Sequence, residues 1–418
     1  MSRPRVVVVG GGVIGVTSAY YLARAGADVI LLERRELAAG ASYGNAGTIS
    51  AGHPPLNKPG RVREALARML DSTSPLYIPP RWDPGLWRWL AEFAAHCTAA
   101  HVAHCMDVMA PIGLESLSLF DELVERERLS CHYLREGYYA VCATPEGLEE
   151  VRHEVGLMGH PEYHPEILSE DELRSREPAL KPGLAGGAYF PEGATCNPAA
   201  FVRELAGRAT DRGVEIRTGV EVLDVLARAG RVVGVRIAGG GEVPGDAVLL
   251  ATGPFSTAVA RRAGIRLPVQ PGKGYHRDLD PAAGATPPLA IACVLYETSV
   301  FCTPMDGFVR YAGTMEFSGI NEVMRRARLE QLTRSAGRYL TGIGGGAPLS
   351  EWCGLRPVSA DGLPIVGPVP GVKGLIVATG HGMLGLTLAP VTGKLVTSHI
   401  LGGEMPPEAA ALEPTRFH

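Results

Sequence analysis

The first 33 residues constrain this chain more than any other stretch. Four consecutive valines, Val6 to Val9, run into Gly10-Gly11-Gly12-Val13-Ile14-Gly15. A helical pattern continues to Gly26, and Val29-Ile30-Leu31-Leu32 closes on Glu33. The order predicts strand, glycine turn, helix and second strand. Gly10 permits the tight turn, Gly12 lets the backbone approach a pyrophosphate, and Gly15 lets the helix pack close to the sheet. Unpaired N–H groups at the helix N-terminus attract phosphate oxygens. Glu33, 18 residues beyond Gly15, stands where a carboxylate accepts hydrogen bonds from ribose hydroxyls. A lone Gly-x-Gly-x-x-Gly is a weak signal. In its full strand–turn–helix–strand context it predicts a dinucleotide-binding unit, against the plainer reading of a glycine turn in an ordinary α/β unit.

At 418 residues the chain has room for two or three domains, and 46% hydrophobic with 20% charged residues excludes a disordered or fibrous protein. A net charge of -4 without a long single-sign run argues against nucleic acid as a partner. The eight cysteines are scattered, with no Cys-x-x-Cys pair, which predicts reduced thiols in a cytoplasmic setting. Cys97, His101, His104 and Cys105 fall on one helical face but lack the paired spacing of a zinc site, so no metal is expected. Arg3 and Arg5 before the valines mimic the start of a signal peptide, yet the apolar run ends at once in glycines. Gly374 to Gly393 carries no Asp, Glu, Lys or Arg, but its five glycines and Pro390 predict a buried strand, turn and helix rather than a membrane span. Trp82, Trp87 and Trp89, with Leu86, Leu90 and Phe93, support two readings: a helix packed on its neighbour, or an apolar face for peripheral contact with the inner side of a membrane or with a quinone.

Along the chain, Ala38 to Pro55 reads as a long functional loop. Arg81 to about Arg128 is helical and aromatic-rich. A strand follows at Gly137–Cys142, with a helix from Thr144-Pro145. A second α/β portion opens at Asn197-Pro198, an N-cap followed by proline at the first helical position, and its helix stops at Gly213. Strands are expected at Val214–Ile216, Val232–Ile237 and Ala247–Ala251, and a charged helix near Asn321 to Tyr339. Glycine-rich texture returns from Cys353 to Gly403. The alternation predicts two interleaved, discontinuous domains: 1–80, 195–262 and 350–418 for the dinucleotide, and 81–194 and 263–349 for the substrate.

Five motifs occur in order: GGGVIG…LLERR, the loop Ser42-Tyr43-Gly44-Asn45-Ala46-Gly47, LLATGP from Leu249, GLRPVSADGLPIVG from Gly354, and ATGHGMLGLT from Ala378. Together they resemble the D-amino-acid dehydrogenase branch of the FAD-dependent D-amino-acid/glycine/sarcosine oxidase (DAO) family, over nearly the whole chain. The resemblance implies an α/β fold in which a Rossmann-like FAD-binding domain is interleaved with a mixed β-sheet and helices that hold substrate. It implies FAD as cofactor and oxidative deamination of a D-amino acid to a 2-oxo acid and ammonia, by hydride transfer from Cα to flavin N5. Electrons would pass to an acceptor other than oxygen, such as a quinone. His276-Arg277 is more polar than the family pattern, which keeps a D-proline or hydroxyproline substrate open; a glycine/sarcosine-type oxidase using oxygen, which shares the fold and fingerprints, is a further alternative. An NAD-dependent dehydrogenase and a non-catalytic FAD-holding subunit are the competing classes.

Arg356, within GLRP, is the candidate carboxylate clamp, because a guanidinium offers a planar bidentate match. The alternative is an ordinary surface arginine, but among Leu355, Pro357 and Leu363 an unpaired one would be costly to bury. Gly380, His381, Gly382, Met383 and Gly385, leading into a helix from Leu386 and Thr387, would form a backbone anion site beside the flavin pyrimidine. His381 is either a catalytic imidazole or only a turn residue. The resemblance assigns Ser42, Asn45, Ala46 and Gly47, with Thr48 behind, to the flavin ring, and Gly10, Gly12, Val13, Ile14, Gly15, Glu33 and Arg34 to the dinucleotide. It assigns Val222 to adenine, and Ala251, Thr252 and Gly253 to a second cofactor turn. Tyr275, Tyr296 and Tyr311 are candidates to line the substrate pocket, Tyr275 and Tyr311 with a catalytic role, against the reading of half-buried packing.

Overall fold

Val6, Val7 and Val8 are completely buried. A parallel strand covered on both faces is apolar throughout rather than alternating, and Arg5–Val9 takes the centre of such a sheet. The computed structural model describes residues 3–68, 71, 74–262, 264–281, 287–343 and 347–417. The six strands of this sheet run in the order Ile365–Pro368, Leu375–Thr379, Ala247–Leu250, Arg5–Val9, Asp28–Leu32, Glu215–Arg217, parallel except for the first pair. Helix Val13–Arg24 packs on one face with helices Pro198–Asp211 and Ala389–Leu401. Asn197 caps the first of these partners by accepting from the Ala200 N–H at 3.2 Å. A three-stranded antiparallel ribbon, Val222–Arg228, Arg231–Ile237 and Glu242–Pro244, buries Val225, Val232 and Val235 against the other face.

The second sheet is mixed and has nine strands. Its main path is Ser350–Ser359, Val269–Leu279, Phe308–Glu316, Val300–Met305, Cys293–Leu295, Tyr138–Cys142, Gly186–Phe190 and Glu166–Leu168, and Leu76–Tyr77 adds to Phe308–Glu316. Two boundaries differ from the sequence expectation. Ser350–Ser359, expected with the dinucleotide half, is an outer strand of the second sheet, paired antiparallel with Val269–Leu279 from Val269↔Ser359 to Asp278↔Ser350. Helix Ala99–Glu127, expected with the substrate half, packs on Ala389–Leu401, buries Phe120 and Leu123 in the core of the first sheet, and receives the Tyr20 hydroxyl on Glu127 at 2.6 Å.

The aromatic-rich stretch forms two helices, Pro84–Ala95 and Ala99–Glu127, each started by a side-chain cap, Asp83 for the first and Thr98 for the second. The tryptophan cluster divides. Trp89 is 3% exposed, stacks on Phe93 and donates its indole N–H to Val358 O at 3.2 Å, whereas Trp82 is 91% and Trp87 48% exposed. The charged helix starts at Arg326, because the Asn321 side chain ties down the preceding segment through the Val323 N–H and Lys273 Nζ. The uncharged stretch from Gly374 forms strand Leu375–Thr379, a turn, and a helix that begins at Ala389 rather than Leu386. Among the described residues no helix is long and apolar enough to cross a membrane.

Candidate active site

A cavity of about 620 Å³ opens at the C-terminal ends of the parallel strands and reaches the second sheet. Gly10, Gly12, Val13, Ile14, Glu33 and Arg34 line one end. Val222 and the turn Ala251-Thr252-Gly253 lie beside them, followed by Ser42, Asn45 and Ala46, then Gly382, Met383, Gly385, Leu386, His381 and Arg356. The crevice at the carboxyl ends of strands is where α/β sheets of this kind bind ligands.

The glycines of the first turn are needed for different reasons. Gly10 has φ +114°, and a Cβ there would strike the Ala251 carbonyl. A Cβ on Gly15 would strike the Gly10 carbonyl. Both are demands of the protein's own packing. A Cβ on Gly12 would meet only Ser42 Oγ, at 3.2 Å, so the space beside Gly12 is space of the cavity. Gly12 caps the helix without a side chain. The Val13 N–H goes to Ser42 Oγ at 2.9 Å. Glu33 is oriented by two backbone donors, Gly11 N–H on Oε2 at 2.7 Å and Arg35 N–H on Oε1 at 2.8 Å, and Arg34 lies 3.8 Å over the Phe255 ring. A side-chain-free helix start with open room beside it and a fixed carboxylate one strand away fits a dinucleotide such as FAD.

Gly15, Gly47, Gly380 and Thr387 stand behind this lining rather than in it. They shape the wall. The Gly47 N–H is taken by Asn45 Oδ1 at 2.7 Å, and Thr387 Oγ1 accepts the Ser50 N–H at 3.2 Å while its carbonyl accepts Ser116 Oγ–H at 2.6 Å. The Gly382 N–H donates to Pro357 O at 2.7 Å, which pins the second glycine turn to the strand carrying Arg356. His381 is 5% exposed. Its Nε2 sits 3.1 Å from Thr392 Oγ1, Nδ1 has no partner among the described residues, and burial pushes its pKa down to about 3. His53, another lining residue, is also lowered by burial. Both imidazoles are neutral near pH 7.

Arg356 is distinguished by what it lacks. The cations buried in the described protein all face a carboxylate: Lys273 and Arg328 face Glu316, Arg277 faces Glu351, and Arg310 faces Asp278. Arg356 is half-buried, donates Nη1 to Thr314 O at 2.7 Å, and has no acidic partner among the described residues. Desolvation lowers its pKa to about 10, so it stays protonated at neutral pH and lacks a counter-charge.

The three tyrosines are placed otherwise than expected. Tyr275 is fully buried and donates to Glu316 Oε2 at 2.9 Å, Tyr311 is 2% exposed in the core behind the sheet, and Tyr296 donates to Glu154 at 2.6 Å. None lines the cavity. Side-chain alternation explains two of them: Ala312 faces the cavity and Tyr311 the core, and Tyr275 points away from the face that carries Gly274 and His276. Trp352, Phe301 and His53 line the cavity and were not singled out from sequence. For Trp352 a signal existed, since it lies four residues before Arg356 and therefore on the same strand face.

The Cys97–Cys105 face is engaged in other contacts. His101 Nε2 lies 2.7 Å from Asp361 O and 3.3 Å from Cys105 Sγ, and Cys97 donates to Phe93 O. Among the described residues no group of three potential ligands is placed to hold a metal ion.

Comparison with known proteins adds independent information. The family described as FAD dependent oxidoreductase, DAO, matches residues 5–399. A protein named D-amino acid dehydrogenase from Methylobacterium nodulans is 35% identical, over 95% of both chains, and one of the same name from Sinorhizobium medicae is 32% identical, over 99% of this chain and 100% of its own. Among solved structures, glycine oxidase from Geobacillus kaustophilus superposes with a TM-score of 0.79 at 23% identity, covering 99% of both chains. L-proline dehydrogenase from P. horikoshii gives 0.76 at 17%, covering 100% of this chain and 98% of its own. At these identities the superpositions speak to the fold.

Proposed function

This chain belongs to the FAD-dependent oxidoreductase family DAO, and we propose that it oxidises a D-amino acid at Cα, the product imine being hydrolysed to a 2-oxo acid and ammonia. The observation that carries this reading is Arg356, a desolvated guanidinium inside the cavity with no carboxylate of its own. An α-carboxylate supplies the missing charge, and the fork-shaped donor set favours a planar anion. Full-length relatives named D-amino acid dehydrogenase point to the same substrate class.

FAD, when bound, supplies a hydride acceptor. The groups that would hold it are the Gly10–Ile14 turn, Glu33, the Ser42–Ala46 loop, Val222, Ala251–Gly253 and the Gly382–Leu386 turn. Thr314 O holds one end of the Arg356 fork and so orients the remaining donors. The neutral His381 and His53 bring no second positive charge to compete for the carboxylate. In this division of labour the six-stranded sheet serves the cofactor and the nine-stranded sheet the substrate.

The electron acceptor in this reading is a quinone, reached through peripheral membrane contact at the exposed Trp82 and Trp87. Anaerobic bleaching of the purified flavoprotein against D-, L- and N-substituted amino acids tests the reading. Reduction by D-amino acids and not by their L-forms is expected. Reduction by amines lacking a carboxylate with equal efficiency would refute it.

A further inference from the structure

The strand pair Ser350–Ser359 and Val269–Leu279 presents one face to the cavity, and that face is unusually bare. Gly274 and Gly354 are direct partners across the ladder. Two long side chains bend onto this glycine pair from opposite ends. A Cβ on Gly274 would collide with the Arg356 guanidinium, and a Cβ on Gly354 would collide with the six-membered ring of Trp352. The clamp and the indole are therefore neighbours over one floor.

Trp352 is also fixed from above and from the side. A Cβ on Gly44, in the Ser42–Gly47 loop, would run into the same ring. His276, its cross-strand partner, stacks on it with centroids 5.4 Å apart and planes 20° apart, and is itself backed by Tyr43 at 5.7 Å. Two glycines from distant segments thus make room for a single indole, and a buried neutral imidazole backs it. Such a side chain does not move aside for a ligand.

The same register row continues through Ala312 and Phe301, which also line the cavity. The wall beside the clamp is therefore apolar. Beside this wall the lining carboxylates are engaged, Glu351 with Arg277 and Glu322 with Arg35, while Glu33, held by two backbone N–H groups, and Glu221 stand at the far end with the glycine turn and Val222. Of the other lining cations, Arg35 has Glu322, while Arg34 over the Phe255 ring and Arg262 on Leu223 O stand with the Val222 and Gly253 turns; beside this wall the cation is Arg356.

We propose that Trp352 is the specificity-determining residue for the substrate side chain. A D-amino acid held by its carboxylate at Arg356 lays its side chain against the indole, with Phe301 and Ala312 completing the wall, and the enzyme selects uncharged apolar side chains over acidic or basic ones. This rests on the assignment of Arg356 as carboxylate clamp. Beside the indole an acidic side chain would find no second cation without a partner, a basic one would find no carboxylate without a partner, and either would be desolvated. Each methylene placed on such a wall contributes a discrimination of about 10-fold or more.

Flavin reduction is followed anaerobically for the wild-type holoenzyme, W352F and W352A with D-alanine, D-leucine, D-methionine, D-phenylalanine, D-aspartate and D-lysine. The wild type should favour its best large apolar substrate over D-aspartate and D-lysine by about 10-fold or more in kcat/KM, the scale of one methylene or greater. W352A should lose about that factor for D-leucine and D-methionine while D-alanine shifts by less than about 3-fold, and W352F should keep most of the preference. Uniform loss across the series, or a wild-type preference for a charged side chain, would overturn the assignment. Binding of the non-oxidisable carboxylates 4-methylvalerate and succinate, read from perturbation of the flavin spectrum, provides a measure independent of turnover and needs only the wild type should W352A not fold. Tighter binding of 4-methylvalerate supports the wall, and equal or tighter binding of succinate refutes it. If no D-amino acid bleaches the flavin yet 4-methylvalerate still binds more tightly, oxidation of D-amino acids is refuted while the apolar wall stands.

Discussion

The two ends of the cavity are built by opposite means. At the end proposed for the cofactor the contacts offered are mainly backbone, a glycine turn and a helix start, joined by one carboxylate that two amides hold, most of them within residues 10–47. At the substrate end the contacts are side chains, Arg356 and Trp352 from one strand, Ala312 and Phe301 from two others, brought level by β-register. A backbone site is local in sequence and tolerates few residue types. A side-chain site is assembled across the chain and can be retuned one residue at a time.

The contrast is broken most sharply by Gly12→Val. A β-branched side chain would occupy the cavity room beside the turn, and flavin content of the purified protein should fall to less than about one tenth of the wild type's. Gly12→Val protein that retains stoichiometric flavin would move the cofactor elsewhere. Acid challenges both ends together. Burial, followed by the nearby Arg310 charge, lowers His276 to about 4, and burial lowers His381 to about 3, so the unfolded chain binds protons below pH 6.5 that the fold refuses. Stability should therefore fall as pH drops from 6.5 to 4, by about 3 kcal/mol for His276 alone at about 1.4 kcal/mol per unit. His276→Gln should flatten that part of a urea-melt pH profile, and an unchanged slope would count against the burial argument.

Arg356→Lys tests the substrate end alone. Exchanging a bidentate fork for a point charge should raise KM for D-amino acids by about 30-fold, or about 2 kcal/mol, with flavin content unchanged. Equal effects on carboxylate-free amines would make Arg356 structural. The smallest effect belongs to the outer surface. Trp82→Ser with Trp87→Ser should change stability by less than about 0.5 kcal/mol and leave anaerobic reduction intact, because both side chains are exposed. Quinone-linked turnover with vesicles should drop, and unchanged turnover would send electrons out by another route.

The same division decides what could be read from sequence. The Gly10–Gly15 turn, Glu33, the Asn197 cap and the strand at Ala247 were legible because each depends on neighbours a few residues away. Tyr275 and Tyr311 were misplaced because which face a strand residue occupies depends on register with partners outside its own segment, Gly313 and Cys353 for Tyr275, Arg277 and Cys302 for Tyr311, and a one-residue shift reverses it. Trp89 was grouped with Trp82 and Trp87 by proximity, whereas the helix turns it inward onto Phe317. The strand at Ser350–Ser359 lies in the second sheet for a related reason. GLRP lies amid cofactor motifs in sequence, yet its strand pairs with Val269–Leu279.

The strand that opens the chain has a consequence for biosynthesis. Arg5–Val9 lies between Asp28–Leu32 and Ala247–Leu250, and the next strand outward is Leu375–Thr379. A ribosome that has released Asp28–Leu32 has therefore released only one of that strand's two neighbours, and the other follows about 215 residues later. Until then a run of valines made for burial on both faces is exposed along one edge, the kind of segment that pairs with other chains. Closing this sheet waits on contacts of very large sequence separation, which slow folding. The nascent chain needs shelter for its first strand long before it can hold a cofactor, and fragments ending before Ala247 should aggregate rather than bind flavin.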